Sequence, residues 1–347
     1  MAPLEESLSS EELRDAWFLL SHDDRAWGLR SLPRAEAEDF FFGLSARDQA
    51  ELIVALPEEE RRSWMRLLPP DDAADLIQES EAEDRTGLLD LLNRAMRREV
   101  IALMAYAEDQ AGGLMNPRFA RVRPEMTVDA AISYLRRQTL EYLETIYYIY
   151  VLDEQQRLLG VVSFRELFAA SPAKLVRDVM ATDVVTVTDD LDQESVSRVF
   201  AEHDLLAMPV LDASGRMKGI VTVDDIVDVV EEEATEDIQK LGGMEALDAP
   251  YLETGFWVLI RKRIGWLTAL FLSEMLTTTA MGRFQGEIER FSTLALFVPL
   301  IVSSGGNSGS QASTLVIRAM ALNEVRLRDW WRVMRREVMS GDRKSVV

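Results

Sequence analysis

The chain has 347 residues, a length that indicates two or three domains and not one small module. Its 38 Lys and Arg residues against 60 Asp and Glu residues give a formal net charge of −22, which argues against a nucleic-acid binder and favours cations as partners. Cysteine is absent, and the two histidines, His22 and His203, lie far apart in the sequence. A thiolate metal site is therefore excluded and a zinc site is disfavoured, so any bound metal is expected to be a hard ion held by oxygen, such as magnesium or calcium.

The first hundred residues contain a repeated helix-start signal. Leu-Pro or Leu-Ser pairs recur every 12 residues, at Leu32-Pro33, Leu44-Ser45, Leu56-Pro57 and Leu68-Pro69. Proline in the first turn or serine at the cap, followed by acids near the positive end of the helix dipole, is typical of a helix start. Because one such short unit cannot bury an apolar face alone, residues 1–112 are predicted to stack into an acidic, all-α superhelical domain.

Residues 113–223 contain two copies of one α/β pattern. Gly160 and Gly219 lie at matching strand positions, 59 residues apart. Each copy is predicted to run strand, helix, strand, turn, strand, helix. The later strands are predicted at residues 149–152, 160–163, 209–211 and 219–222. Two such copies make a compact α/β pair.

An acidic run follows the second copy, in residues 224–252. Between Asp224 and Asp237, eight of fourteen residues are acidic and none is basic. On a helix, like charges three or four residues apart each cost a few tenths of a kcal/mol. Charge alone favours a solvated acidic helix face, and a cation site is the alternative.

Two apolar stretches lie further along, at residues 264–282 and 291–317, in a region whose net charge is +5 over residues 251–347. The second stretch has 27 residues without one charge, more than the roughly 20 needed to cross a bilayer, and the first is interrupted only by Glu274. Basic residues precede the first stretch and follow the second, which predicts that both ends are cytoplasmic. The sequence thus predicts an α-helical membrane region over residues 253–347 with two spans, and a buried hairpin of a soluble core is the alternative.

Small residues and amides are concentrated in the second stretch. They include Pro299, Gly305, Gly306, Asn307 and Gln311. Such residues at mid-membrane let a partner helix approach closely and let backbone carbonyls face water. Asn307 is predicted to be a pore-lining amide that contacts a hydrated cation, and simple close packing of helices is the alternative.

Several segments, taken in chain order, resemble those of a known family. GVVSFRELF and GIVTVDDIVDVV are similar to the last strand and helix of cystathionine-β-synthase (CBS) motifs, so residues 113–223 look like a tandem CBS pair. Together with AEDQAGGLM, ETIYYIYVLDE, EATEDIQKLGG and PLIVSSGGNSGSQAS, they resemble the MgtE family of magnesium channels and transporters, from its N-terminal domain to its second transmembrane helix.

The resemblance implies a multi-pass homodimer in the inner cell membrane, with its N-terminal domains in the cytoplasm. Such a protein transports magnesium and is gated by cytosolic magnesium bound between the N-terminal domain, the CBS pair and a plug helix within residues 224–252. The magnesium ligands that it implies are Asp39, Asp71, Asp75, Gly113, Asp192, Glu194, Ala201, Asp204, Asp225, Asp228, Glu233 and Glu236. Gly113 and Ala201 would contribute backbone carbonyl oxygens.

The resemblance also implies a site for ATP in the CBS pair. Tyr148 and Arg165 match positions that hold the nucleotide in the family. Two residues depart from the family pattern, because Glu166 stands where an aspartate is usual and Leu205 stands where an aromatic ring would stack on the base. The loss of the stacking ring predicts weaker adenine binding.

The family has further transmembrane helices beyond the second, and one of them carries the pore carboxylate. The resemblance therefore predicts a chain that does not conduct by itself, because of a truncation, a frameshift or partial coverage of a longer sequence. The competing function is a membrane-anchored CBS sensor that binds a divalent cation or an adenine nucleotide. An enzyme is not expected, since the sequence has no catalytic triad, phosphate-binding loop or nicotinamide-binding fingerprint.

Overall fold

The structure is a computed structural model that describes residues 9–138, 143–247, 251, 254–290, 292–321 and 325–344. It divides into two compact units, Met1–Val229 and Val230–Val347. One helix, Val223–Leu241, begins in the first unit and ends in the second.

The N-terminal part of the first unit consists of short helices joined by turns. They are α1 (Ser10–Ala16), α2 (His22–Ser31), α3 (Arg34–Phe42), α4 (Ala46–Ala55), α5 (Glu58–Met65), α6 (Pro70–Glu79), α7 (Arg85–Leu91), α8 (Arg94–Leu103) and α9 (Ala111–Leu114). The predicted helix starts are confirmed. The N-caps of α3, α4, α5 and α6 are Pro33, Ser45, Pro57 and Pro69.

Alternate helices of this region pack against each other. Helix α2 contacts α4, α4 contacts α6, and α6 contacts α8, which gives the stacked arrangement expected of a repeat. The leucines before three caps are buried between the layers, at Leu32, Leu56 and Leu68. The repeat also extends beyond the predicted pairs, because Ser21 and Asn93, each preceded by a leucine, cap α2 and α8 with their side chains.

The remainder of the first unit contains two α/β copies of the same topology. The first has β1 (Arg121–Val122), α10 (Val128–Arg137), β2 (Tyr148–Leu152), β3 (Leu158–Ser163) and α11 (Phe164–Ala169). The second has β4 (Val187–Thr188), α12 (Gln193–His203), β5 (Ala207–Leu211), β6 (Met217–Thr222) and α13 (Val223–Leu241). In each copy the first strand is parallel to the second, and the third is antiparallel to it. The predicted internal repeat is confirmed, with each later strand starting one or two residues earlier than expected.

The segment that precedes each copy pairs with the last strand of the other copy. Ala181, which precedes the second copy, pairs with β3, and Asn116, which precedes the first copy, pairs with β6. A Cβ at Gly160 would lie 2.5 Å from the carbonyl oxygen of Ala181, and one at Gly219 would lie 2.7 Å from that of Asn116. The two glycines recognised in the sequence repeat are therefore required by close backbone crossings.

Among its described residues, three apolar cores hold the first unit together. The largest runs from the N-terminal helices through Ala111 and Met115 into the second α/β copy. The first copy has its own core, and a third core lies between the two sheets. The buried residues of that third core are Phe119, Tyr150, Leu152, Ala207, Met217 and Ile220. The N-terminal helices are thus fixed to the second copy by shared apolar burial.

The second unit is helical in its described residues. Its helices after α13 are α14 (Phe256–Arg283), α15 (Gln285–Arg290), α16 (Ser292–Ala321) and α17 (Trp330–Lys344). Helices α14 and α16 cover the two apolar stretches, except for Phe291, which lies outside the described residues.

The predicted membrane spans are not confirmed. In the part of the chain that the structure describes, no helix combines the length and the apolar character that crossing a membrane requires.

We expect Gly160→Ala and Gly219→Ala each to lower the free energy of unfolding by about 1–3 kcal/mol, because the added methyl group overlaps a backbone carbonyl that cannot move alone. Gly87→Ala is the matched control. Gly87 lies in α7, and a methyl group added there would have no other atom within 4 Å, so alanine should raise helix stability by up to about 1 kcal/mol. Urea denaturation of the intact chain in detergent measures all three, and equal stability of the Gly160 and Gly87 variants would contradict the crossing argument.

Candidate functional site

The first turn of α6 places two carboxylates at the boundary between the N-terminal helices and the α/β pair. Pro69 caps the helix and Pro70 begins it, followed at once by Asp71 and Asp72. Carboxylates are favoured at this end of a helix because it carries partial positive charge. Asp71 is 5% exposed, so its carboxylate needs hydrogen-bond donors in place of water.

Asn116 supplies one of those donors. Its Nδ2 donates to Asp71 Oδ1 at 3.0 Å and also to Glu144 Oε2 at 2.7 Å. Glu144 lies just before β2, in the segment that follows the undescribed residues 139–142. One amide therefore joins a carboxylate of the N-terminal helices to a carboxylate of the first α/β copy.

The first turn of α13 brings further acids to the same place. Asp225 Oδ2 accepts hydrogen bonds from the backbone N–H of Thr222 at 3.2 Å and from its hydroxyl at 2.7 Å, which fixes the start of the helix. Asp224 and Asp228 flank it on the same helix, and both are exposed. We call Asp71, Asp72, Glu144, Asp224, Asp225 and Asp228 the acidic cluster.

The electrostatics of the acidic cluster are unfavourable to its charged state. Burial, followed by the charge of Asp225, raises the pKa of Asp71 well above its usual value. Burial and the charges of Asp224 and Asp228 raise the pKa of Asp72 to about 6. These shifts arise because desolvation and like charges both penalise the ionised carboxylate.

The same effects act on the cluster members from the α/β pair. Burial, with the charges of Asp72 and Asp224, raises the pKa of Glu144 to about 7 against the opposing charge of Arg118. Burial raises the pKa of Asp225 to about 7, although its hydrogen bonds from Thr222 act in the other direction.

One basic side chain acts on the cluster from the first α/β copy. Arg118 forms an ion pair with Glu99 of α8, at 2.8 Å, and so is shared between that carboxylate and Glu144. Within the described residues, no three carboxylate or imidazole side chains converge closely enough to hold a metal ion. The acidic cluster therefore has the charge and the oxygen atoms that a hard cation prefers, but its side chains are not arranged around a common point.

Of the implied magnesium ligands, the structure places Asp71, Asp225 and Asp228 in the acidic cluster. Asp75 lies one turn beyond Asp71 on α6 and is half-buried. Asp39 lies exposed near the end of α3 and is not a member of the cluster.

The implied ligands on and beside α12 lie at its two ends. Asp192 caps the helix, its Oδ1 accepting from the backbone N–H of Ser195 at 2.9 Å. Glu194 forms an ion pair with Arg198 at 2.5 Å. At the other end, Ala201 and Asp204 are exposed, and Asp204 is the left-handed C-cap. Helix α12 has eleven residues and is about 16 Å long. One ion therefore cannot contact both Asp192 with Glu194 at one end and Ala201 with Asp204 at the other.

Gly113 and the remaining predicted residues are distributed over both units. Gly113 lies in α9, where a Cβ would lie 2.5 Å from the carbonyl oxygen of Ala107. In the second unit, Glu236 forms an ion pair with Lys240 at 2.5 Å. Glu233 lies on the same stretch of α13. The residues predicted to line a pore lie exposed along α16. They are Pro299, Gly305, Gly306, Asn307 and Gln311.

The residues predicted to hold a nucleotide lie close together in the first α/β copy. Tyr148 begins β2 and pairs with Ser163 of β3, two residues before Arg165 in α11. Glu166 is engaged by Ser163, whose hydroxyl donates to its Oε2 at 2.6 Å. Leu205 is half-buried and packs against the largest core.

Comparison with known proteins gives matches along most of the chain. The family models that match are the MgtE intracellular N domain over residues 7–109, the CBS domain over 111–173 and 176–232, and a divalent cation transporter domain over 298–342. The magnesium transporter MgtE of Thermus thermophilus is 47% identical over 254 residues, which cover 73% of this chain and 56% of that protein. The magnesium transporter MgtE of Enterococcus faecalis is 32% identical over 243 residues, covering 70% of this chain and 53% of that protein.

A solved structure extends this similarity to the fold. The crystal structure of the cytosolic domain of the Mg2+ channel MgtE in complex with ATP is 43% identical in sequence, with a TM-score of 0.59, over 65% of this chain and 91% of that one. The chain belongs to the MgtE family. It spans about half the length of the transporters that it matches, 56% and 53% of the two described above.

Three of the six residues of the acidic cluster in this MgtE family member, Asp72, Glu144 and Asp224, were not predicted as site residues from the sequence. Asp72 and Asp224 each adjoin a predicted ligand, so the acidic pairs Asp71-Asp72 and Asp224-Asp225 were an available signal. Glu144 lies within the motif ETIYYIYVLDE but carries no charge pattern of its own, and Asn116 is an isolated amide. Only the fold brings these two residues to α6.

The raised pKa values of the acidic cluster predict how the stability of the MgtE fold depends on pH. A carboxyl whose pKa is higher in the folded state binds protons more tightly there, so its contribution is present at low pH and is lost as pH rises through the folded pKa. With EDTA present, we expect the free energy of unfolding of the intact chain to fall by roughly 2–4 kcal/mol between about pH 5 and pH 8.

Replacement of Asp71 and Asp225 together by asparagine should flatten this dependence. Asp212→Asn is the matched control, because hydrogen bonds from Ser214 and Arg216 hold the pKa of Asp212 below its usual value, outside this pH window. Urea titrations at several pH values measure the effect. A stability that rises from pH 5 to pH 8 would show that the cluster is not strained by its charge.

Proposed function

We propose that the protein serves magnesium transport across a membrane and that its acidic cluster senses cytosolic magnesium. The observation that carries this proposal is the proximity of carboxylates from α6, from the segment before β2 and from α13, which raise one another's pKa values. The names of the matched transporters support magnesium as the ion. Homodimer formation and the inner membrane as its location are parts of the same proposal.

The chemistry of the acidic cluster suits this role. Magnesium is a small, hard ion that prefers oxygen ligands in octahedral geometry and keeps several of its waters. Carboxylates that repel one another in the ion-free protein would be drawn together by such an ion, directly or through its waters. An ion that binds the docked arrangement of α6 and α13 more tightly than the separated one stabilises the docked arrangement.

We assign the remaining parts of the chain to the regions that the family comparison suggests. Residues 1–112 form the N-terminal domain, 113–223 the CBS pair, 224–252 the plug or connecting segment and 253–347 the membrane region. Helices α14 and α16 would supply the spans at 264–282 and 291–317, with Asn307 facing the ion. The implied ligands outside the cluster, on α3, α9, α12 and the end of α13, are proposed as further magnesium contacts.

We expect magnesium to slow amide hydrogen exchange in α6 and in the segment around Glu144, because a bound ion removes the repulsion that loosens them. The intact chain is compared in detergent with and without millimolar magnesium at fixed ionic strength, by mass spectrometry. The double variant Asp71→Ala/Asp75→Ala should lose most of this protection. In a complete channel carrying these domains, the same variant should stay open at high magnesium.

Glu58→Ala/Glu59→Ala is the matched control, since these residues are first-turn acids of the neighbouring helix α5 and are exposed. The control should keep the magnesium response. Equal exchange in α6 with and without magnesium, in the unaltered chain, would rule out sensing at this cluster.

A CBS sensor that binds ATP is the second candidate, favoured by the similarity to a cytosolic domain whose crystal structure is a complex with ATP. Tyr148 offers an aromatic ring, and Arg165, which follows its strand partner Ser163 by two residues, offers a guanidinium that suits a phosphate group. This function is compatible with magnesium sensing, because neither of these two residues is a member of the acidic cluster.

We expect Arg165→Ala to weaken ATP binding at least tenfold, because it removes a charge-assisted hydrogen bond to phosphate. Arg136→Ala, an exposed arginine of α10, is the control and should leave the affinity unchanged. Calorimetric titration of the intact chain with ATP measures both. Equal affinities for the two variants would place any bound nucleotide elsewhere.

A further inference from the structure

Asn116 is a buried amide that serves two carboxylates from separate parts of the fold. Its side chain is fully buried, and its Nδ2 lies 3.0 Å from Asp71 Oδ1 and 2.7 Å from Glu144 Oε2. Because each oxygen lies one hydrogen bond from the same nitrogen, the two carboxylate oxygens are within about 6 Å of each other. Asp71 and Glu144 lie far apart in the sequence. The amide of Asn116 fixes the distance between their carboxylates.

The orientation of the Asn116 side chain is itself fixed. Its Oδ1 accepts from the backbone N–H of Arg118 at 2.8 Å, which directs Nδ2 towards the carboxylates. Its backbone exchanges two hydrogen bonds with Ile220 of β6, at 2.7 and 2.9 Å. Strand β6 leads directly into α13, whose first turn carries Asp225. Asn116 thus connects α6, the segment before β2 and the strand that starts α13.

A neutral donor has a particular effect on a carboxylate pair. An arginine or lysine in the same place would cancel negative charge and compete with a cation. The amide of Asn116 orients Asp71 and Glu144 without adding a positive charge, so the oxygens of both carboxyl groups remain available to an ion. Holding the two groups close before the ion arrives also reduces the ordering that binding requires.

We infer that Asn116 is a positioning residue for magnesium binding, which holds Asp71 and Glu144 as a ligand pair across the boundary between the N-terminal helices and the first CBS copy. This inference rests on the proposed function and adds Glu144 to the ligands that the family comparison implies. It also explains why a buried asparagine lies at the point where two like charges meet.

The test measures the magnesium concentration at which exchange in α6 is half-slowed, in the intact chain in detergent. Asn116→Ala and Asn116→Ser should each raise this midpoint about tenfold, since a hydrogen bond to a charged group is lost. Serine keeps an oxygen that can accept from the N–H of Arg118, so the local turn is retained. The serine variant therefore keeps the test valid if the alanine variant does not fold.

Asn93→Ala is the matched control, because Asn93 is an asparagine with a capping role, its Oδ1 accepting from Ala95 and Met96. It should lower the melting temperature in EDTA and leave the magnesium midpoint unchanged. Glu144→Gln should raise the midpoint as Asn116→Ser does. The double variant Asn116→Ser/Glu144→Gln should shift it by less than the product of the two single shifts, because both changes break the same pair.

The outcomes distinguish this inference from the function on which it rests. Absence of any magnesium response in the unaltered chain would overturn both. A normal response with an unchanged midpoint in Asn116→Ser would overturn the positioning role alone. A double variant that shows the full product of the single shifts would also overturn it, because Asn116 and Glu144 would then act independently.

Discussion

The constraint on which the first unit depends is the excess of negative charge where α6, the segment before β2 and α13 meet. Two carboxylates about 6 Å apart repel each other by about 3 kcal/mol at an effective dielectric constant near 20. Burying one large apolar side chain contributes about 1.5–3 kcal/mol. The core that continues through Ala111 and Met115 from the N-terminal helices into the second CBS copy therefore outweighs several such repulsions. Apolar packing holds the acids together against their own charge.

This balance explains how a small ion could control a large structure. The apolar core and the backbone crossings at Gly160 and Gly219 fix the CBS pair, whereas α6 meets that pair through the acidic cluster as well as through packing. Protonation or a divalent cation relieves the same repulsion, which is why pH and magnesium should act on the same contact. In the proposed function, the response to the ion is a shift between docked and loosened arrangements, and its size depends on how strongly the ion prefers one of them.

Much of the fold could be predicted from the sequence because its repeats carry local signals for helix starts and for close backbone crossings. The helix starts at Pro33, Ser45, Pro57 and Pro69 and the matched glycines depend on caps and backbone space, which act over a few residues. The site was only partly predictable. Acids on helices could be read from charge runs, but Asn116 and Glu144 reach Asp71 only through tertiary packing. The described residues do not confirm the predicted membrane spans.

The two CBS copies show that environment, and not local motif, decides the chemistry of this protein. Ser163 with Glu166 and Thr222 with Asp225 occupy equivalent positions, and each hydroxyl donates to the acid three residues on. In the first copy those bonds act on an exposed carboxylate and lower the pKa of Glu166. In the second copy burial overcomes the same bonds and raises the pKa of Asp225 to about 7. The difference arises where α13 faces the acids of α6, so one repeated cap serves as a simple helix start in one copy and as part of the acidic cluster in the other.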